Sequence, residues 1–187
     1  AALILAAMDT GSSFEGMGAS REALYGALIE PALMIGFATL AMFCGYTTFA
    51  DIFAVKQSFD LHLTLVMLLA AYLFLRITFV EAGRVPVEDP RTHLELTMIH
   101  EVMCLDYGGI DMLMIRIGGW LKTAAFSMIA ANAIATVSCF KWWFAAPVAI
   151  LLTGVSVGIV ESTQARNKLS RNTTFMVTIS ALAALIF

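Results

Sequence analysis

Five apolar segments follow one another along this chain, and each is long enough, or nearly so, to cross a lipid bilayer. They lie at about 22–45, 61–82, 112–139, 143–161 and 173–187, the last being the shortest. Crossing roughly 30 Å of hydrocarbon takes ~20 apolar residues at ~1.5 Å per helical residue. A lone strand in lipid would leave its backbone unpaired, so each segment is predicted to be a helix. The sequence therefore predicts an all-α, polytopic transmembrane helix bundle with about five spans.

The composition separates this chain from soluble and nucleic-acid-binding proteins. It is 60% hydrophobic and 13% charged, whereas soluble domains are roughly 45–50% apolar and about 25% charged. The net charge is −3 and no Lys/Arg run occurs, so nucleic acid is not an expected partner. Cys44, Cys104 and Cys139 stand far apart without a CxxC motif, which argues against an iron-sulfur or zinc-ribbon site held by this chain. Any redox centre is expected in another subunit.

The basic residues predict which loops face the cytoplasm. Loops 9–21, 83–111 and 162–172 fall on one side of the membrane and carry six Lys/Arg, while loops 46–60 and 140–142 carry two. By the positive-inside rule the first group is cytoplasmic, in a multi-pass protein of the cell inner (cytoplasmic) membrane. Residues 1–187 are expected to form a single transmembrane domain. The opening AALILAAM is typical of the tail of an apolar span, so N-terminal helices are expected to be missing.

Glu30 is the sharpest single signal in the spans. It lies nine residues past Arg21, or ~14 Å along a helix, and Pro31 follows it. A charge at a helix centre costs about 2.5–3.5 kcal/mol on insertion scales, so Glu30 is predicted to be protonated, paired or facing a water-filled path. Pro31 removes a backbone donor and is expected to open the preceding turn. A proton-carrying carboxyl and a packing Glu held by one Arg or hydroxyl both fit this pattern.

Charged residues in other spans lie at a depth similar to that of Glu30. They are Arg76, Glu81, Lys122 and Glu161. Opposite charges at matched depth in neighbouring helices lower each other's burial cost, which predicts a buried polar string through these positions. The alternative is that Arg76 and Lys122 each extend separately to the lipid headgroups.

The densest group of ionisable side chains lies between the second and third spans, in EAGRVPVEDPRTHLELTMIHEVMCLDYGG (81–109). A helical reading of 92–107 sorts them onto two arcs, with His93, His100 and Glu101 on one and Glu95 and Asp106 on the other. Acids on an otherwise apolar face indicate function rather than solvation. The two histidines and Cys104 spread over ~16 Å, too far for one metal ion. The histidines are predicted to be interface residues or proton relays.

Three stretches of the chain resemble the signature regions of a known family. They are DTGSSFEGMGASREALYGALIEPA (9–32), the segment 81–109, and ESTQARNKL (161–169). They resemble the membrane-anchor subunit of group 4 nickel-iron hydrogenases and formate hydrogenlyases, which is homologous to the quinone-site membrane subunit of respiratory complex I. The resemblance runs in register over essentially the whole chain. It implies an eight-helix subunit, of which this chain would supply the last five helices and the tail of the third.

The resemblance also implies partners and site residues. Loop 83–111, with a short helix, would dock a peripheral arm made of a hydrogenase large subunit and an iron-sulfur small subunit, and antiporter-like membrane subunits would lie alongside in the bilayer. The nickel-iron centre and the iron-sulfur clusters would belong to the partners, with no cofactor bound by this chain. Motif position places five residues in the family's charged pathway: Glu30, Glu81, Arg84, Glu95 and Asp106. The family has Glu where Asp106 stands and a polar residue where Gly83 stands.

These features predict a non-catalytic subunit of a proton- or sodium-translocating, energy-converting hydrogenase complex. Electron transfer in the arm would shift the protonation of Glu81, Glu95 and Asp106 and act through Glu30 on the membrane. One alternative is the quinone-binding membrane subunit of a complex I type NADH-quinone oxidoreductase. A second is a stand-alone secondary transporter, in which Glu30 and Pro31 would form a broken helix. A structural scaffold is disfavoured because it needs no charge at bilayer depth.

Overall fold

A computed structural model of the chain describes residues 2–54, 61–83, 87, 102–137, 142–163 and 169–187. Within these ranges the backbone forms helices and no strand. In chain order they are α1 (Ala2–Asp9), α2 (Ser13–Cys44), α3 (Phe49–Ala54), α4 (Leu61–Glu81), a 3₁₀ turn (Val102–Cys104), α5 (Gly109–Val137), α6 (Trp142–Thr163) and α7 (Leu169–Ile186). The predicted all-α fold is confirmed.

Long apolar helices account for the membrane character of the chain. Among the described residues, three helices have the length and apolarity to cross a bilayer, namely α2, α4 and α5 as far as Ile134. The apolar stretches Ile150–Thr163 of α6 and Asn172–Ile186 of α7 are shorter. Each of the five predicted spans therefore corresponds to a helix, and the chain is a multi-pass membrane protein.

Helix α2 extends well beyond the predicted span. Its 32 residues make a rod of ~48 Å, longer than the ~30 Å hydrocarbon layer. It begins at Ser13, after Ser12 with an extended backbone, so most of the predicted loop 9–21 is helix. It ends where Gly45 takes a left-handed conformation, with φ of 73° and its N–H bonded to the Ala41 carbonyl.

Helices α2, α4 and α7 pack against one another in a triangle, and α5 and then α6 extend the bundle on the α4 side. Helix α4 is the central element, since Leu73, Phe74 and Ile77 are fully buried. They share one apolar core with residues of α2 and α7, including Ile29 and Met176. Close contact between side chains is what holds transmembrane helices together, because lipid tails are as apolar as the core.

A second apolar cluster lies beside the main core, where four segments meet. It contains Ala7, Ala19, Met103 and Cys104, with Leu3, Ile4, Met112 and Ile115 packed against it. These residues come from α1, the start of α2, the 3₁₀ turn and the start of α5. The cluster therefore fastens the end of the segment between α4 and α5 to the beginning of α2.

Gly36 sets the distance between α2 and α4. A Cβ atom at this position would lie 2.9 Å from Leu73 Cδ2 and 3.7 Å from two ring atoms of Phe74. Next to it, the centroid of the Phe37 ring lies 4.9 Å from the centroid of the Phe74 ring and 4.9 Å from the centroid of the Phe49 ring in α3. Small residues at helix interfaces allow such close backbone approach in membranes.

Gly36→Leu is expected to push α2 and α4 apart and to lower the free energy of unfolding by about 1–3 kcal/mol, the usual cost of overpacking. Gly36→Ala should have a smaller effect, because its Cβ comes too close only to the flexible end of Leu73, while the Phe74 ring lies at ordinary contact distance. Thermal unfolding of the purified protein in detergent measures both. Gly158→Leu is the matched control, since a Cβ there meets no atom of the described structure within 4 Å. Equal stability of the two leucine variants would contradict the close packing at Gly36.

Candidate functional site

Contacts between distant parts of the chain gather at one end of the bundle. The Glu15 carboxylate of α2 accepts a hydrogen bond from the Asp106 backbone N–H at 3.0 Å. At the start of α7, the Asn172 side chain reaches the Val87 carbonyl at 2.8 Å and the Tyr25 hydroxyl at 3.4 Å. Residues of the predicted loops 9–21, 83–111 and 162–172 therefore lie at the same end of the bundle. If the chain crosses the membrane back and forth, these three loops must lie on the same side.

An ion pair joins the end of α4 to α5 at this end of the bundle. Lys122 Nζ contacts Glu81 Oε2, with 44% and 16% of the respective side chains exposed. These two members of the predicted polar string are thus in contact. The two opposite charges attract each other, so a new charge nearby would act on both.

Arg76, one turn before Glu81, is held by aromatic rings. Its guanidinium carbon lies 4.0 Å from the centroid of the Phe175 ring in α7 and 5.8 Å from that of Tyr72. Its Nη1 also donates to the Tyr72 hydroxyl at 3.3 Å. A cation over a ring face is stabilised by about 0.5–2 kcal/mol, most when it is shielded from water. Among the described residues, Arg76 is therefore tied to α7 through a ring, and the predicted link to an acid is not formed.

Glu30 lies on the outward face of α2. Its side chain is exposed from this chain, and Oε1 turns back towards Gly26, 3.8 Å from where a Cβ would stand. It does not join the Glu81–Lys122 pair. Helix α2 continues without a break through Pro31, so the opening expected of the preceding turn is not seen. A discontinuous helix of the kind predicted for a transporter is absent from this part of the described chain.

Two further predicted residues have defined positions. Asp106 follows the 3₁₀ turn; its side chain is exposed, while its backbone N–H is bonded to Glu15. Glu161 is partly buried near the C-terminal end of α6. The other predicted site residues lie outside the described ranges: Arg84, His93, Glu95, His100 and Glu101. Their roles stay predictions.

Two buried polar residues are absent from the predicted site, although both sit at its edge. Glu15 and Asn172 each have 0% of their surface exposed. The sequence signal for Glu15 was ambiguous, because S-x-x-E normally marks a local capping box. Ser12 makes no side-chain cap bond here, and the Glu15 carboxylate bonds to Thr10 and Asp106. For Asn172, the only signal is an amide at the edge of an apolar span, which is typical of helix packing.

Comparison with known proteins places this arrangement in a family. The profile described as NADH dehydrogenase matches residues 1–187. The chain belongs to the NADH dehydrogenase family. This family member is 34% identical over 92 residues to formate hydrogenlyase subunit 4 of Escherichia coli (strain K12), covering 49% of this chain and 30% of that protein. It is 32% identical over 126 residues to hydrogenase-4 component C of the same organism, covering 67% and 38%.

The NADH dehydrogenase family member thus spans about a third of the length of these curated relatives. No solved structure matches it. The resemblance drawn from the motifs is confirmed at the level of the family and of these two hydrogenase relatives. Activity and partners of the whole assembly are proposals.

A double-mutant cycle with Glu81→Gln and Lys122→Gln is expected to give a coupling free energy of about 1 kcal/mol. This lies at the upper end for exposed ion pairs because Glu81 is largely shielded. Unfolding in detergent at low and high salt measures the coupling, which should fall with salt. The control cycle combines Glu81→Gln with Arg116→Gln, since Arg116 is an exposed cation earlier in α5. The effects of these two substitutions should be additive. Additive effects in the Glu81–Lys122 cycle would show that the pair contributes nothing to the free energy of unfolding.

Proposed function

We propose that this chain is a membrane subunit of a proton- or sodium-translocating, energy-converting hydrogenase complex. It anchors a hydrogenase and iron-sulfur arm and couples electron transfer in that arm to ion movement in the membrane. The observation that carries the proposal is the similarity to two proteins whose names assign them to formate hydrogenlyase and to hydrogenase-4. The ion pair between the largely shielded Glu81 and Lys122 supports it, since paired charges can respond to a charge nearby.

The proposed mechanism is electrostatic. Each electron that enters the docked arm adds negative charge near the end of α4, which favours protonation of neighbouring carboxylates. Glu81 would then bind Lys122 less tightly, and Glu95 and Asp106 would respond in the same direction. A rearrangement of α4 against α5 would carry the change towards Glu30 in α2. This chain binds neither electron carrier nor substrate in the proposal, and it acts on protons and charges only.

The proposed partners follow from the same assignment. They are a hydrogenase large subunit with a nickel-iron centre, an iron-sulfur small subunit, and antiporter-like membrane subunits. Loops 9–21, 83–111 and 162–172 would face the cytoplasm from the inner membrane. The gathering of residues from these regions at one end of the bundle supports a single docking side. The exposed Glu30 on α2 supports a neighbouring membrane subunit, because a carboxyl at that depth is costly against lipid.

A second candidate function follows from the name of the family. A quinone-binding membrane subunit of a complex I type NADH-quinone oxidoreductase would share the matched profile. The names of the two relatives favour the hydrogenase assignment over this one. A stand-alone secondary transporter has less support, because α2 is unbroken at Pro31.

Purification of the assembly through a tag on this chain tests the hydrogenase assignment. We expect nickel and iron-sulfur absorbance to copurify, because the proposed arm docks on this chain. Metal analysis and mass spectrometry of the copurified chains provide the measurement. Bound quinone with NADH-oxidising subunits would favour the second candidate, and a chain that purifies alone or as a homo-oligomer would contradict both.

Glu30→Gln tests the coupling role. The variant keeps the size of the side chain but can no longer bind and release a proton. Electron transfer to an artificial acceptor should therefore stay near the wild-type rate, while ion-gradient formation in vesicles should be abolished. A pH-sensitive or sodium-sensitive dye reports the gradient. Asp51→Asn is the matched control, since Asp51 is an exposed acid in α3 and should leave both activities unchanged. Gradient formation by Glu30→Gln at the wild-type rate would remove Glu30 from the pathway.

A further inference from the structure

Two fully buried polar side chains hold the segment between α4 and α5 by its backbone. Glu15, in the first turn of α2, bonds to residue 106, and Asn172, near the start of α7, bonds to residue 87. Neither belongs to the charged pathway proposed above. Each has 0% of its surface exposed, so each polar group must find its partners within the protein.

Glu15 makes a bridge rather than a helix cap. Its Oε1 accepts from the Asp106 N–H at 3.0 Å, across 91 positions of sequence, and its Oε2 contacts the Thr10 hydroxyl. The Thr10 hydroxyl also lies 2.8 Å from the Ala7 carbonyl, which it can reach as a donor. The carboxyl group therefore ties the turn between α1 and α2 to the turn that follows Val102–Cys104. Apolar packing of Ala19 and Met103 beside it closes this junction.

Asn172 makes the equivalent bridge at the other end of the segment. Its Nδ2 donates to the Val87 carbonyl at 2.8 Å and lies 3.4 Å from the Tyr25 hydroxyl. Val87 itself is buried in the main core. The two contacts connect residue 87 with both α7 and α2. Within the described residues the Asn172 Oδ1 atom has no hydrogen-bond partner, so the amide is held through its donor side.

We propose that Glu15 and Asn172 are positioning residues that hold the main chain at residues 106 and 87. They fix these two points against α2 and α7, so that both described flanks of the connection between α4 and α5 keep a set position relative to the helices that carry Glu81 and Lys122. The inference rests on the proposed coupling function. Its distinctive feature is that Glu15 acts through its shape and hydrogen bonds and carries no proton of the pathway.

Glu15→Gln and Glu15→Asp separate these roles. Gln keeps the length of the side chain, and its Oε1 can accept from the Asp106 N–H. Its Nε2 can donate to the Thr10 hydroxyl oxygen, while the Thr10 hydroxyl donates to the Ala7 carbonyl. Asp keeps the charge but falls one methylene short of the Asp106 N–H. A positioning role therefore requires that Gln works and Asp fails, whereas a proton-carrying role requires the opposite.

The measurements are made on the intact membrane complex. One is the ion gradient formed per electron transferred, and the other is hydrogen exchange of the peptide that contains Asp106. Gln should keep both near wild type. Asp should lower the gradient per electron at least about threefold and speed exchange of the Asp106 amide about tenfold, as expected for loss of one backbone hydrogen bond. Loss of coupling in Gln with retention in Asp, or unchanged coupling in both, would overturn the proposal.

Asn172→Leu gives an independent test at the other anchor. Leu has a similar volume and no donor for the Val87 carbonyl, so coupling should fall as it does in Glu15→Asp. Tyr25→Phe is the control, because it removes only the hydroxyl at the longer 3.4 Å contact and should leave coupling unchanged. Equal coupling in Asn172→Leu and wild type would overturn the role of this anchor. The hydrogen-exchange result is independent of any gradient, so failure of the proposed function is distinguishable from failure of the anchors.

Discussion

A charge in a low-dielectric layer persists only where an opposite charge, a ring face or a hydrogen-bond donor meets it. The described helices show each of these solutions. Glu81 meets Lys122, Arg76 meets the ring of Phe175, and Glu15 meets a backbone N–H. Each contact joins two separate segments, so satisfying the charges also determines how α2, α4, α5 and α7 meet. The same contacts therefore stabilise the charges and hold the helices in their arrangement.

Close backbone approach makes this arrangement possible. Gly36 lets α2 approach Leu73 of α4, which sets one side of the triangle that these helices form with α7. Buried hydroxyls in this region bond back to their own helices, as Thr39 does to the Ile35 carbonyl and Thr78 to the Phe74 carbonyl. These two hydroxyls therefore need no partner from another helix.

Local properties of the sequence predicted the helices and one charged contact. Apolar length is a local property, so every span was placed near its helix, and matching depth was enough to pair Glu81 with Lys122. Depth alone does not give the rotation of a helix about its axis. For that reason Glu30 faces outward and Arg76 faces a ring of α7, where an acid had been predicted. Glu15 was missed because its partner is 91 positions away, which no local pattern reveals.

Helix α5 projects past the end of α4. Lys122, which pairs with the last residue of α4, stands thirteen positions after Gly109, the first residue of α5. About 20 Å of α5 therefore lies beyond the end of α4, continuous with the part inside the bundle. A rigid helix transmits axial displacement, while a flexible coil of equal length absorbs it. This part of α5 packs through Met112 and Ile115 on the cluster at the start of α2, so one continuous helix joins that cluster to the Glu81–Lys122 pair.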